Sequence, residues 1–202
     1  VANGIRENCP KDERLELFEL PDFVTTMMEN KWLGSKTKQG FYKKSISSEG
    51  KKEILTLDLN TLEYRSAKRA KFATLELTKT IDKVVDRFKV LVSGKDKAGE
   101  FYRKSFTALF AYVSNRIPEI TDELYKIDDA MKAGFGWEHG PFQIWDAIGV
   151  EKGIELMKAE GLEPAAWVHE MLASGSKSFY SLKEGATYAY DIPIKTQTKV
   201  PG

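Results

Sequence analysis

Apolar residues recur at helical spacing along most of this chain, and that period constrains the fold more than any motif does. Between Ala67 and Val92 they fall at Leu77, Ile81, Val84, Val85, Phe88, Leu91 and Val92, and Ser93-Gly94 ends the run. A second long helix is expected from about Ala98 to Arg116, carrying Phe101, Tyr102, Phe106, Phe110 and Tyr112, with Pro118 ending it. Shorter helices are expected over Leu20–Trp32, with a stripe of Phe23, Val24, Met27 and Met28, and over Thr121–Lys132, Phe142–Ala159 and Pro164–Ala173. The last two start at Gly140-Pro141 and Glu163-Pro164, where proline suits a first turn that lacks amide partners. The fold class is mainly α.

Two stretches break the helical period. Ser45–Gly50 reads as a loop, and Ile54–Leu59 alternates as a strand that Asn60-Thr61 turns. The last stretch, from Ser178, is rich in Thr, Tyr and Lys and reads as a loose hairpin followed by a tether.

With 202 residues, 42% of them hydrophobic, the chain buries a real core, as one domain or two small ones. No run approaches the ~18 apolar residues of a membrane span. The single cysteine, Cys9, makes no internal disulfide, so a reducing, cytoplasmic setting is expected. The start at Val1 without a Met leads to the expectation of a piece cut from a longer protein. A net charge of +1 hides a segregation. Lys31–Lys71 holds 11 basic residues against four acids, and Glu119–Glu170 holds 12 acids against four lysines. Blocks of opposite sign face different partners or each other.

The chain also echoes itself. Pro21-Asp22-Phe23-Val24-Thr25-Thr26-Met27-Met28 with Gly34-Ser35-Lys36 returns as Pro164-Ala165-Ala166-Trp167-Val168-His169-Glu170-Met171-Leu172 with Gly175-Ser176-Lys177. Aligning Phe23 with Trp167 also aligns Val24 with Val168, Met27 with Met171 and Met28 with Leu172. Such a repeat implies two copies of one helical unit, the first starting before Val1.

The search for chemistry finds no self-sufficient site. Gly134-Phe135-Gly136-Trp137-Glu138-His139-Gly140 follows a helix, whereas a dinucleotide turn follows a strand, so it reads as a tight helix–helix connection. Gly94–Gly99 lacks the Lys-Ser/Thr of a phosphate loop. His139 and His169 have no partner at metal-ligand spacing, and adjacent Asp128 and Asp129 splay apart on a helix. Cys9 has no basic neighbour to make a thiolate. Arg65, Lys68, Arg69 and Lys71 gather near a helix start, which is unfavourable unless an anion or an acidic surface meets them. Without interleaved aromatics they do not point to nucleic acid. No catalytic, cofactor-binding or metal residue is assigned.

Asp129-Ala130-Met131, Gly134-Phe135-Gly136, Gly140-Pro141-Phe142 and Asp146-Ala147-Ile148-Gly149 resemble, in order, the C-terminal helical domain of 3-hydroxyacyl-CoA dehydrogenases. Upstream, Gly34-Ser35-Lys36-Thr37-Lys38-Gln39-Gly40-Phe41-Tyr42 resembles the signature that closes a copy of the same domain. An end signature ahead of a start signature fits a tandem cut inside its first copy. The resemblance implies residues 1–45 as the end of a first helical repeat, 46–95 as a mixed spacer, 96–177 as a second repeat and 178–202 as an extended tail. It implies a multifunctional fatty-acid β-oxidation protein as parent. That parent binds NAD on a Rossmann domain that also holds the catalytic His and Glu, and an enoyl-CoA hydratase domain is a possible neighbour. An acyl-CoA substrate reaches the fragment only through this parent. Asn115-Arg116 matches the second-repeat counterpart of a substrate-contacting Asn-Arg motif, which makes Asn115 the candidate substrate-binding residue. It precedes Asp129 by only 14 residues, about ten fewer than the family pattern. The glycines of the joint are expected to reverse the chain while Phe135, Trp137, Phe142 and Trp145 fill it. Without an enzymatic parent, the same residues describe a stand-alone helical interaction module.

Overall fold

The computed structural model describes residues 1–201, which divide into two units, Val1–Ala70 and the segment from Lys71 onward. The first unit contains α1 (Ala2–Asn8), a 3₁₀ turn at Leu15–Phe18, α2 (Asp22–Glu29) and a second 3₁₀ turn at Ser35–Thr37. A three-stranded antiparallel meander follows: β1 (Tyr42–Ile46), β2 (Lys52–Leu57) and β3 (Tyr64–Ser66). The loop expected at Ser45–Gly50 therefore begins later, because Ser45 and Ile46 pair with Glu53 and Lys52.

The Gly34–Tyr42 signature has a local physical explanation. The Thr37 hydroxyl accepts the Leu33 amide at 2.9 Å and donates to the Gln39 carbonyl at 3.1 Å, cinching the turn. A side chain on Gly40 would place its Cβ 2.8 Å from the Gly34 Cα. The turn delivers Phe41 into the sheet, where its carbonyl accepts the Leu57 amide at 2.9 Å. Met27 and Leu57 are buried, and Tyr64 packs on Trp32 at 5.7 Å while donating to the Gly40 carbonyl at 2.6 Å.

The second unit is helical at its centre: α3 (Ala73–Thr78), α4 (Val84–Ser93), α5 (Lys97–Asn115), α6 (Leu124–Phe135), α7 (Pro141–Ile148), α8 (Val150–Ala159) and α9 (Ala166–Ala173). A second antiparallel meander ends it: β4 (Tyr180–Lys183), β5 (Ala186–Asp191) and β6 (Thr196–Lys199). Nearly half of the chain is helical, as the apolar period requires.

Four expectations need correction. The helix expected from Ala67 to Val92 is two helices. The Thr78 and Thr80 hydroxyls bond back to the Leu75 and Leu77 carbonyls, and Arg87 takes the Ile81 and Asp82 carbonyls that a continuous helix would use. The helix expected from Phe142 to Ala159 breaks at Gly149, whose φ of +104° an L side chain rarely adopts. Pro164 precedes rather than opens α9, which starts at Ala166 after the cap residue Ala165.

The residues expected as hairpin and tether form a full sheet whose Phe179, Ala189 and Tyr190 are buried in the core of this unit. Alternating Thr and Tyr suit a half-buried pleated strand, and Glu184 and Gly185, both at positive φ, make the two-residue turn joining β4 to β5. The division after Ala70 also falls inside the stretch expected as a spacer.

The core of the second unit is aromatic. Phe106, Phe110 and Trp145 stack nearly parallel, at 6.0 and 5.0 Å between centroids, and Phe142 and Phe179 also pack on Trp145, at 6.4 and 4.9 Å. No helix among the described residues is long and apolar enough to cross a membrane.

Candidate functional site

The signature residues of the second unit converge on the α6–α7 joint, and two carboxylates organise it. The cap residue of α7 is Gly140, which has no side chain to accept the first free amides. Asp128, on α6, supplies the missing acceptor. Its Oδ1 takes the Phe142 amide at 2.9 Å, and its Oδ2 takes the Gln143 amide at 3.0 Å and the Tyr180 hydroxyl at 2.9 Å. Gly140 leaves room for this contact, since a Cβ there would lie 2.3 Å from the Asp128 Cβ.

Asp146 repeats the device one helix later. Its oxygens accept the Phe179 and Tyr180 amides at 2.8 Å each, fixing the start of β4. Burial raises the Asp128 pKa to about 6, against its three hydrogen bonds. Burial likewise raises Asp146 to about 7, against its two amide bonds, and the negative charge of Asp128 adds to the rise. The Tyr180 hydroxyl is pushed well above its ordinary range, by burial first and then by the Asp128 charge it faces.

Further along, the Ser114 hydroxyl accepts the Ala165 amide at 3.1 Å, and its carbonyl accepts the Trp167 indole at 3.0 Å. Asn115 lies next to it, exposed, its side-chain amide donating to the Ala111 carbonyl at 2.9 Å and the Glu163 carbonyl at 3.4 Å. A hollow of about 470 Å³ opens between α5 and α6, lined by Tyr112, Arg116, Ile120, Ile127 and Met131 among others, and Asn115 is not part of its lining. It sits where the chain runs from α5 to α6 in only eight residues.

His139 packs edge-on against Phe88 at 5.9 Å, and His169 lies 3.7 Å from Glu163. Among the described residues no three His, Cys, Asp or Glu side chains gather as a metal site. Trp137 is half-buried, and Phe142 and Trp145 are fully buried in the joint as expected, but Phe135 is exposed and fills nothing. Gly134 lies in the last turn of α6 with open space around it, so it takes no part in the reversal. The glycine run does not fit a dinucleotide: helix α6 precedes it, and the free α7 amides that would meet a phosphate already bind Asp128.

Sequence reasoning missed the Asp128, Asp146 and Ser114 roles. For the two aspartates the signal was present, since they are the acids that open the two signature segments, Asp128-Asp129-Ala130-Met131 and Asp146-Ala147-Ile148-Gly149.

Aromatic stacking inside a helical core, closed by a meander and strutted by carboxylates from its own helices, defines a helical packing domain. Residues 97–188 match the family model described as 3-hydroxyacyl-CoA dehydrogenase, C-terminal domain, which bears out the resemblance. The chain is 38% identical over 191 residues, 95% of its length, to a probable 3-hydroxyacyl-CoA dehydrogenase of Bacillus subtilis. It is 30% identical over 118 residues, 58% of its length, to a putative fatty acid oxidation complex trifunctional enzyme of Rickettsia felis. Its counterpart in Rickettsia prowazekii is 28% identical over 158 residues, 78% of the chain. The chain spans 23%, 15% and 20% of these relatives' own lengths. No solved structure matches it significantly.

Proposed function

We propose that this chain is the helical C-terminal portion of an NAD-dependent 3-hydroxyacyl-CoA dehydrogenase of fatty-acid β-oxidation. The observation that carries the reading is the family match over residues 97–188, whose signature residues build the Asp128–Gly140 joint. The parent oxidises a 3-hydroxyacyl-CoA to the 3-oxo thioester, and NAD, held on its Rossmann domain, accepts the hydride. The present residues shape and brace the acyl-CoA cleft against that domain, in a cytoplasmic protein in which a hydratase domain is a further neighbour. Asn115 is the one residue here proposed to approach substrate.

The tandem-repeat reading draws support from a shared local plan. Helices α2 and α9 have eight residues each, bury Met27 and Met171, and lead through Gly-Ser-Lys to a Phe-Tyr pair that opens a three-stranded meander. In the first meander Phe41 accepts the Leu57 amide, and in the second Phe179 accepts the Tyr190 amide, at 2.9 and 2.8 Å. Phe179 is buried by its helices, whereas Phe41 is half exposed. On this reading the helices that cover Phe41 belong to sequence upstream of Val1.

The test is a fluorescence titration of the chain with NADH, with a dehydrogenase assay alongside. The expected result is neither binding nor turnover. Saturable micromolar binding overturns the reading.

A further inference from the structure

We propose that the distal end of the first sheet, around Lys44, Ile46, Lys52 and Ile54, is a docking surface for an anionic lipid bilayer. The register sets this surface. Ile46 opposes Lys52 and Lys44 opposes Ile54, so the four side chains share one face as a checkerboard of two isoleucines and two lysines. Ile46 is 70% exposed and Ile54 59% exposed, a large apolar presence for two neighbouring side chains on a water-facing strand pair. Among the described residues, neither Lys44 nor Lys52 has an ion-pair partner. The acids nearby are diverted: Glu53 opposes Ser45 on the other face, Glu49 pairs with Lys51, and Asp58 pairs with Arg65. Two unneutralised ammonium groups lie diagonally across from each other between exposed aliphatic chains, an arrangement that an anionic, apolar-backed surface relieves.

The kind of basic residue selects the partner. Nine of the 11 basic residues from Lys31 to Lys71 are lysine. Protein interfaces favour arginine, whose planar fork matches carboxylates, and are depleted in lysine. Lysine lays its stem along apolar surface and holds its charge at headgroup depth, and each such residue near an anionic leaflet contributes to binding. On the tandem-repeat reading, Lys44 and Ile54 correspond to Leu182 and Thr187 of the second sheet. Both of those stay exposed, Leu182 at 75%, although helices cover the proximal end of that sheet. The distal end is therefore free even where a repeat has its helices. The register, the exposures and the unpaired lysines stand without that comparison.

The experiment is vesicle co-sedimentation of the whole chain with phosphatidylcholine vesicles, with and without phosphatidylglycerol, over a salt series. The expected result is sedimentation only with phosphatidylglycerol, weakening as salt rises. Lys44→Gln with Lys52→Gln is expected to lower the partition coefficient about thirtyfold. Ile46→Ser with Ile54→Ser is expected to lower it about tenfold at unchanged vesicle charge. Equal sedimentation with both vesicle types overturns the proposal, as does phosphatidylglycerol binding that neither variant changes. Retention on polyglutamate beads without vesicle binding also overturns it and assigns the face to an acidic protein. The vesicle comparison uses the unaltered chain, so it decides the question even if a variant fails to fold, and NADH titration failing or succeeding leaves it untouched.

Discussion

Replacing Gly140 with alanine tests the central claim about the α6–α7 joint. The new Cβ would meet Asp128 at three atoms, Cβ and Cγ at 2.3 Å and the backbone Cα at 2.4 Å. Rotating the Asp128 side chain does not relieve a contact with its Cα, so α7 must move away from α6. Overpacking of this kind costs about 1–3 kcal/mol. Moving α7 also stretches the two amide bonds to Asp128, and losing one hydrogen bond to a charged acceptor adds about 1.5–3 kcal/mol. The expected loss is roughly 3–5 kcal/mol, or about 10–15 °C in Tm at roughly 3 °C per kcal/mol for a unit of this size. Gly134→Ala, six residues earlier, is the internal control. Its Cβ meets nothing within 4 Å in a helical turn, so the same substitution should stabilise by about 0.4–1 kcal/mol. Urea denaturation of both variants, followed by tryptophan fluorescence, gives the two values at a common m-value. If Gly140→Ala costs no more than Gly134→Ala, the carboxylate-capped joint is wrong.

The remaining predictions concern titration and the two meanders. Asp128 and Asp146 have folded pKa values of about 6 and 7, above the ordinary aspartate value of 3.8, so the folded state holds more protons between these values. Their contribution to stability is therefore fully present below pH ~4, falls as pH rises to ~7 and is level above it. Asp146→Asn should flatten the upper part of that slope in a urea series. Asp96 has the opposite sign. The Thr74 amide, the Gly99 amide and the Thr74 hydroxyl hold it at about 2, so its contribution is lost as pH falls from ~4 through ~2. Phe179→Ala should cost about 3–5 kcal/mol, whereas Phe41→Ala, at the matching place in the first sheet, should cost less than about 1 kcal/mol in this chain. Comparable costs at the two positions would remove the support that the meanders lend to a tandem repeat.

The helices were legible because their signal is local. The apolar stripe of α5 and its stop near Pro118 follow from spacing and from proline's missing amide. Where a helix was drawn too long, the deciding bonds ran from side chains to carbonyls only three to six residues away. Arg87 takes the Ile81 and Asp82 carbonyls, and the sequence does not announce which carbonyls a guanidinium will claim. The C-terminal sheet was read as a tether for a different reason, because its anchor is remote: Asp146, 33 residues earlier, holds the Phe179 amide. The joint was half legible. Gly140-Pro141 marked the start of α7, and Phe142 and Trp145 marked its filling, but Asp128 looked like one of two acids splayed apart on a helix. Only its partner amides, 14 and 15 residues away, reveal a cap supplied from the preceding helix. Asn115 is named by resemblance alone, and its side-chain amide donates to the Ala111 and Glu163 carbonyls.

The cap that Asp128 donates also orders assembly. Helix α7 has eight residues, too few to persist alone in water, and its cap residue Gly140 offers no side-chain acceptor for its free amides. It gains that acceptor only once α6 is in place, and β4 gains its own only once Asp146 has been positioned by α7. Each element thus completes the next along the chain. Losing either carboxylate therefore loosens two neighbours at once.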